Sequence, residues 1–142
     1  MLTEKDYCDY DTCVALKELG YKVPTSAYYM PHHKDLIWVS NPFRGGYVID
    51  CFYSHNSLPK DVMTANFIDA PTLWEVQKWL REEKGIGITI FHSYYHGTRE
   101  LYYQVEIYNT EHWITTFGEF KDWSLALLEG IKEAIKILKE GK

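Results

Sequence analysis

From Gly85 to Phe120 the chain reads GIGITIFHSYYHGTRELYYQVEIYNTEHWITTFGEF, and much of it alternates in period two. Ile86, Ile88 and Ile90 alternate with Gly87, Thr89 and Phe91. Leu101, Tyr103, Val105 and Ile107 alternate with Tyr102, Gln104, Glu106 and Tyr108. Successive side chains of a strand point to opposite faces, so this pattern demands extended chain with one face in a core. Gly97, inside Tyr95 to Arg99, suits the turn between the two strands because it accepts positive φ without penalty. Asn109-Thr110-Glu111 makes a second turn, and His112 to Phe117 a third strand. A three-stranded antiparallel meander is the centre of the expected fold.

Helical periodicity flanks it on both sides. Thr72 and Glu75 form a T-x-x-E capping box after Pro71. Leu73, Val76, Trp79 and Leu80 then make one apolar stripe, with Gln77, Lys78, Arg81 and Glu82 expected in water. Gly85 closes that helix. After the third strand, Asp122 or Ser124 caps a helix whose apolar face is Leu127, Leu128, Ile131, Ala134, Ile135 and Leu138. Near the start, Asp9 or Asp11 caps a helix with Thr12, Ala15, Leu16 and Leu19 on one side. Gly20 fits its left-handed C′ position, with Tyr21 folding back.

Between the first two helices, Tyr28 to Met30 reads as a short edge strand. Leu36 to Ser40 and Tyr47 to Tyr53 read as a hairpin around Asn-Pro-Phe-Arg-Gly-Gly. Ser54 to Asn66 is a polar connector, too slight in composition shift to divide the chain. The order is α-β-β-α-β-β-β-α in a single domain spanning 1–142. Short antiparallel connections with helices at the ends place it in the α+β class, the helices packed mainly on one sheet face.

DYDTCVALKELGY, APTLWEVQKWLREEKGI, the aromatic strand region and WSLALLEGIKEAIKIL resemble a family of small uncharacterised proteins. That family occurs in gut-bacterial genomes and their phages or mobile elements. The resemblance covers most of the chain except Ser54 to Phe67. Its motifs are helix caps and helix cores, so it implies a fold and transfers no catalytic residue.

Several function classes lose ground on composition. Fifteen basic against twenty acidic residues give −5, unlike a protein that clings to phosphate backbones. No segment approaches the roughly 20 apolar residues of a membrane span, and the acidic, polar N-terminus is no secretory signal. Three cysteines, Cys8, Cys13 and Cys51, match no zinc spacing and read as free thiols of a cytoplasmic protein.

The constellations that carry chemistry are weak. His92 and His96 are four apart, which in a strand is roughly 13 Å, too far to share an ion at about 2 Å from each. Only a turn folding them together, with His112 joining from the third strand, would change that. His32 and His33, beside Asp35, point opposite ways on an extended segment. No phosphate loop, dinucleotide fingerprint, G-x-S-x-G or H-E-x-x-H is present. Cys8 and Cys13 have no histidine placed beside them by the sequence, and Cys51 reads as a small core residue. No cofactor or metal is implied.

What stands out is aromatic content: 12 Tyr, 6 Phe and 5 Trp. With the isoleucine register facing the helices, the other face carries Thr89, Phe91, Ser93, Tyr95, Tyr102, Gln104, Glu106 and Tyr108, the mixture typical of an interface core, with Phe91, Tyr95, Tyr102, Gln104 and Tyr108 as the candidate contact residues. The leading expectation is a non-enzymatic interaction module using that face for a protein partner or for self-association, not for nucleic acid or membrane. The alternative is a small-ligand protein or enzyme with a pocket lined by His92, Tyr94, His112 and Trp113. A third possibility is that 21–34 or 54–67 covers the aromatic face.

Overall fold

The computed structural model describes residues 3–23, 25, 27–29, 36–39, 49–50 and 68–141. They fall into two compact units: Tyr7–Thr72, and Met1–Asp6 together with Leu73–Lys142. The fold is α+β with antiparallel sheets, and its order contains the expected α-β-β-α-β-β-β-α with two further short strands.

In the first unit, α1 (Tyr10–Glu18) starts at Asp9, whose Oδ1 accepts the Thr12 amide at 2.9 Å. It ends in a Schellman turn: the Tyr21 amide donates to the Leu16 carbonyl and the Gly20 amide to Lys17, with Gly20 at φ 92°. Thr12, Cys13 and Leu16 form its buried stripe. Cys13 is thus core, while the expected Ala15 is only half-buried. Cys8 is also fully buried; its carbonyl accepts the Tyr29 hydroxyl at 2.8 Å and the Cys13 thiol at 3.6 Å. Neither cysteine is in a disulfide.

The sheet of this unit runs β3-β2-β1-β4, with β1 Ala27–Tyr29, β2 Leu36–Val39, β3 Ile49–Asp50 and β4 Ile68–Asp69. The expected hairpin is present, Trp38 facing Asp50 and Val39 facing Ile49. β1, expected at an edge, lies inside the sheet because β4 pairs on its other side, Tyr29 opposite Ile68. Two residues are too few to show alternation, so β4 leaves no periodic signal. Cys51, the His32–His33–Asp35 group and the Ser54 to Asn66 connector lie outside the described residues.

The second unit is built on β5 (Ile86–Tyr94), β6 (Leu101–Asn109) and β7 (Trp113–Phe120), in that spatial order. α2 (Leu73–Glu83) buries Leu73, Val76, Trp79 and Leu80, the expected stripe. Gln77 departs from its expected solvent position. Its Nε2 donates to the Ile88 carbonyl at 2.8 Å, satisfying an outward group of the edge strand β5.

α3 (Trp123–Lys139) is capped by Asp122, whose Oδ1 accepts the Ser124 and Leu125 amides at 2.8 and 3.3 Å. It buries Ala126, Leu127, Gly130, Ile131, Ala134, Ile135 and Ile137. Gly130 sets how near the helix comes to the sheet: a Cβ there would lie 2.9 Å from both Ile88 Cγ2 and Val105 Cγ1. Beneath it, Ile86, Ile88, Val105 and Ile107 are buried. Ile90 and Tyr103 are only half-buried and Leu101 is exposed, which corrects the expectation of a core running the length of both strands. Nine-residue strands reach roughly 30 Å and α3, at 17 residues, about 25 Å. The hairpin end of the sheet projects past the helix.

Candidate functional site

The register of the second sheet fixes which side chains share the face turned away from α3. Gly87 faces Tyr108, Thr89 faces Glu106, Phe91 faces Gln104 and Ser93 faces Tyr102. On the far side Glu106 faces Thr116. Ile107 pairs with Thr115 but Tyr108 with Trp113, so one extra residue, Ile114, bulges out of β7. That bulge turns Trp113 onto the same face as Tyr108.

The five residues expected on this face therefore lie on it or at its tip, and they are not equivalent. Tyr95 and Tyr102 pack ring against ring at 4.6 Å, with the Lys121 ammonium 6.0 Å from the Tyr95 ring. Both belong to the hairpin end, where the Thr98 amide closes a turn on the Tyr95 carbonyl and Gly97 takes φ 76°. Tyr108 lies flat over Gly87, occupying the space a Cβ there would need, with its hydroxyl 3.4 Å from Thr89 Oγ1. A strand glycine that leaves a gap is thus covered by an aromatic ring from the neighbouring strand. Phe91 and Gln104 face one another near the centre.

Across the middle runs a strip that aromatic counting does not find: Thr89, Glu106 and Thr116, one residue from each strand in direct register. Adjacent strands lie about 4.8 Å apart, so this floor is roughly 10 Å wide. Tyr108 and Trp113 stand on one side of it, Phe91 and Gln104 on the other. The Trp113 Nε1–H donates to Thr116 Oγ1 at 2.9 Å, which fixes the indole along the strip. Thr89, Trp113 and Thr116 are exposed; Phe91, Gln104, Glu106 and Tyr108 are half-buried. No residue of this face except Gly87 is fully buried.

The alternative pocket is not assembled. His92 faces Tyr103, with ring centroids 6.5 Å apart, and Tyr94 faces Leu101, all on the α3 side near the hairpin tip. His112 sits in the opposite turn, where Asn109 Oδ1 accepts the Glu111 and His112 amides, each at 2.9 Å. Six residues of β5 separate these levels, roughly 20 Å. Trp113 belongs to the other face. His96 lies in the hairpin turn, away from His112. Among the described residues no three of His, Cys, Asp and Glu converge as a metal site would require. None of the described helices is long and apolar enough to cross a membrane.

Of the residues on the outer face, the alternating pattern yields Thr89, Glu106 and the tyrosines. Trp113 and Thr116 come from β7, where no simple alternation survives the bulge at Ile114. Comparison of the chain with family models, curated proteins and solved structures finds no match.

Proposed function

We propose that the outer face of the β5–β6–β7 sheet is a protein-contact surface and that the chain is a non-enzymatic interaction module. One observation carries this reading: an aromatic face on a regular sheet whose side chains, Gly87 aside, keep solvent exposure, including Trp113 at 57%. A covered face would bury its rings as fully as Ile88 and Val105 on the opposite side. Rigid, amphipathic Tyr and Trp side chains supply large contact area at small entropic cost, which suits them to protein interfaces. Glu106 at the centre and Glu119 on the outward register of β7 disfavour a nucleic-acid strand. A cytoplasmic setting of phage or mobile-element type belongs to the same reading; buried cysteines outside any disulfide and the resemblance of the helical segments support it.

The test is association. Tyr102→Ala combined with Tyr108→Ala should abolish partner capture or self-association while circular dichroism keeps the native spectrum. Wild-type protein that sediments as a monomer at high concentration, and cross-links to nothing the double variant fails to bind, would refute the reading.

A further inference from the structure

The outer face holds a charged group with no counterpart. Glu106 is half-buried at the middle of the central strand, and its carboxylate has neither hydrogen bond nor ion pair among the described residues. Its direct neighbours are the hydroxyls of Thr89 and Thr116. The Thr116 oxygen accepts from Trp113, and Thr89 leans toward Tyr108, so neither is turned to the carboxylate. The cation that approaches this face, Lys121, is over Tyr95 at the hairpin end. Thr89 and Tyr95 are six residues apart along β5 and its turn, roughly 20 Å.

A carboxylate between aromatic walls on an open sheet is complementary to one kind of group. Guanidinium is planar, is weakly hydrated, stacks on aromatic rings and donates a two-pronged fork to a carboxylate. An ammonium would gain the charge but not the stacking plane. Resting on the contact-face reading above, we infer that Glu106 is the seat for an arginine side chain presented by the protein partner. The guanidinium forks onto the carboxylate between Trp113 and Tyr108 on one side and Phe91 on the other. Threonine oxygens at both ends of the strip accept its remaining N–H groups. The sequence around Glu106 then makes sense as a unit: threonines flank the carboxylate across the strands, with Tyr108 and Trp113 toward one end of the sheet and Phe91 with Gln104 toward the other.

The experiment uses the full chain, nitrogen-15 labelled, titrated with acetyl-Gly-Gly-Arg-Gly-Gly-amide and with its citrulline counterpart, a neutral isostere. The arginine peptide should shift the amides of Thr89, Glu106 and Thr116, and the citrulline peptide should not. Glu106→Gln keeps the shape of the side chain and should weaken binding about tenfold, the loss of a charge-assisted fork. Glu133→Gln removes the same charge from α3 and should change affinity less than about twofold. Equal affinity for Glu106→Gln, or shifts confined to other surfaces, overturns the seat. A partner that binds Glu106→Gln protein normally but is lost with Tyr102→Ala/Tyr108→Ala also overturns it and leaves the contact face standing. Glu106-dependent arginine shifts with partner capture untouched by both Glu106→Gln and the tyrosine changes would overturn the contact face and, with it, the partner's arginine as the occupant.

Discussion

Gly130→Ala is expected to destabilise this protein, although it replaces the poorer helix former with the best one. In the interior of α3, alanine gains about 1 kcal/mol over glycine by propensity alone. Against that, the new Cβ would lie 2.9 Å from Ile88 Cγ2 and 2.9 Å from Val105 Cγ1, about half an ångström inside the ordinary 3.4–4 Å contact range. Both methyls sit on β-branched side chains with one favoured χ1, so they cannot swing aside. Both residues are buried in paired strands, Ile88 at 3% and Val105 at 0% exposure. The helix must lift, or the core must take overpacking that costs about 1–3 kcal/mol. The net loss is about 1 kcal/mol, and α3 would sit further from β5 and β6. Urea unfolding of the intact chain reads this as a fall in midpoint of about 0.5 M, for a slope of about 2 kcal/mol/M. Val105→Ala removes one of the two obstructing methyls, so the same glycine change should cost less in that background. A raised midpoint for Gly130→Ala alone would refute the close approach of helix and sheet.

Gln77→Ala should lower stability by about 1 kcal/mol, because the Ile88 carbonyl loses its side-chain donor. Amide exchange should rise locally in the first half of β5, and unchanged protection there would contradict the edge-capping role. Gly87→Ala places a methyl where the Tyr108 ring now lies. The ring must tilt off the sheet, costing about 1 kcal/mol of cross-strand packing. A Tyr108 ring resonance unmoved by the substitution would show that the tyrosine does not cover the glycine.

The helices were legible because their ends are chemically marked. Asp9, Asp122 and the Thr72–Glu75 pair announce starts, and Gly20 and Gly85, at φ 92° and 67°, announce stops. The β5–β6 hairpin was legible because Ile86, Ile88 and Ile90 alternate on one strand and Leu101, Tyr103, Val105 and Ile107 on the other. β7 was not. Gly118, at φ 92°, looks in sequence like a strand end, yet the strand continues to Phe120 through a second irregularity opposite Gln104. Each such extra residue exchanges the two faces of whatever follows it, so residue type and spacing no longer give orientation. Neither bulge carries a signal in the sequence strong enough to foresee it.

The site shows the same limit from the other direction. Counting aromatics finds the right face but ranks its residues wrongly, because composition cannot tell a ring that waits for a partner from one already in use. Tyr95 and Tyr102 stack on each other, and Tyr108 covers a glycine. Each therefore contributes to the sheet as well as to any contact, so the double tyrosine variant should lose some stability while keeping the native fold. Glu106, by contrast, makes no hydrogen bond and no ion pair among the described residues. Its side chain lies half-buried among rings and threonines. On a face otherwise made of rings and threonines, such a group marks where specificity resides, because a mismatched partner would bury it unpaired. The aromatic residues can supply area to many partners. If the face takes a partner as proposed, Glu106 selects among them.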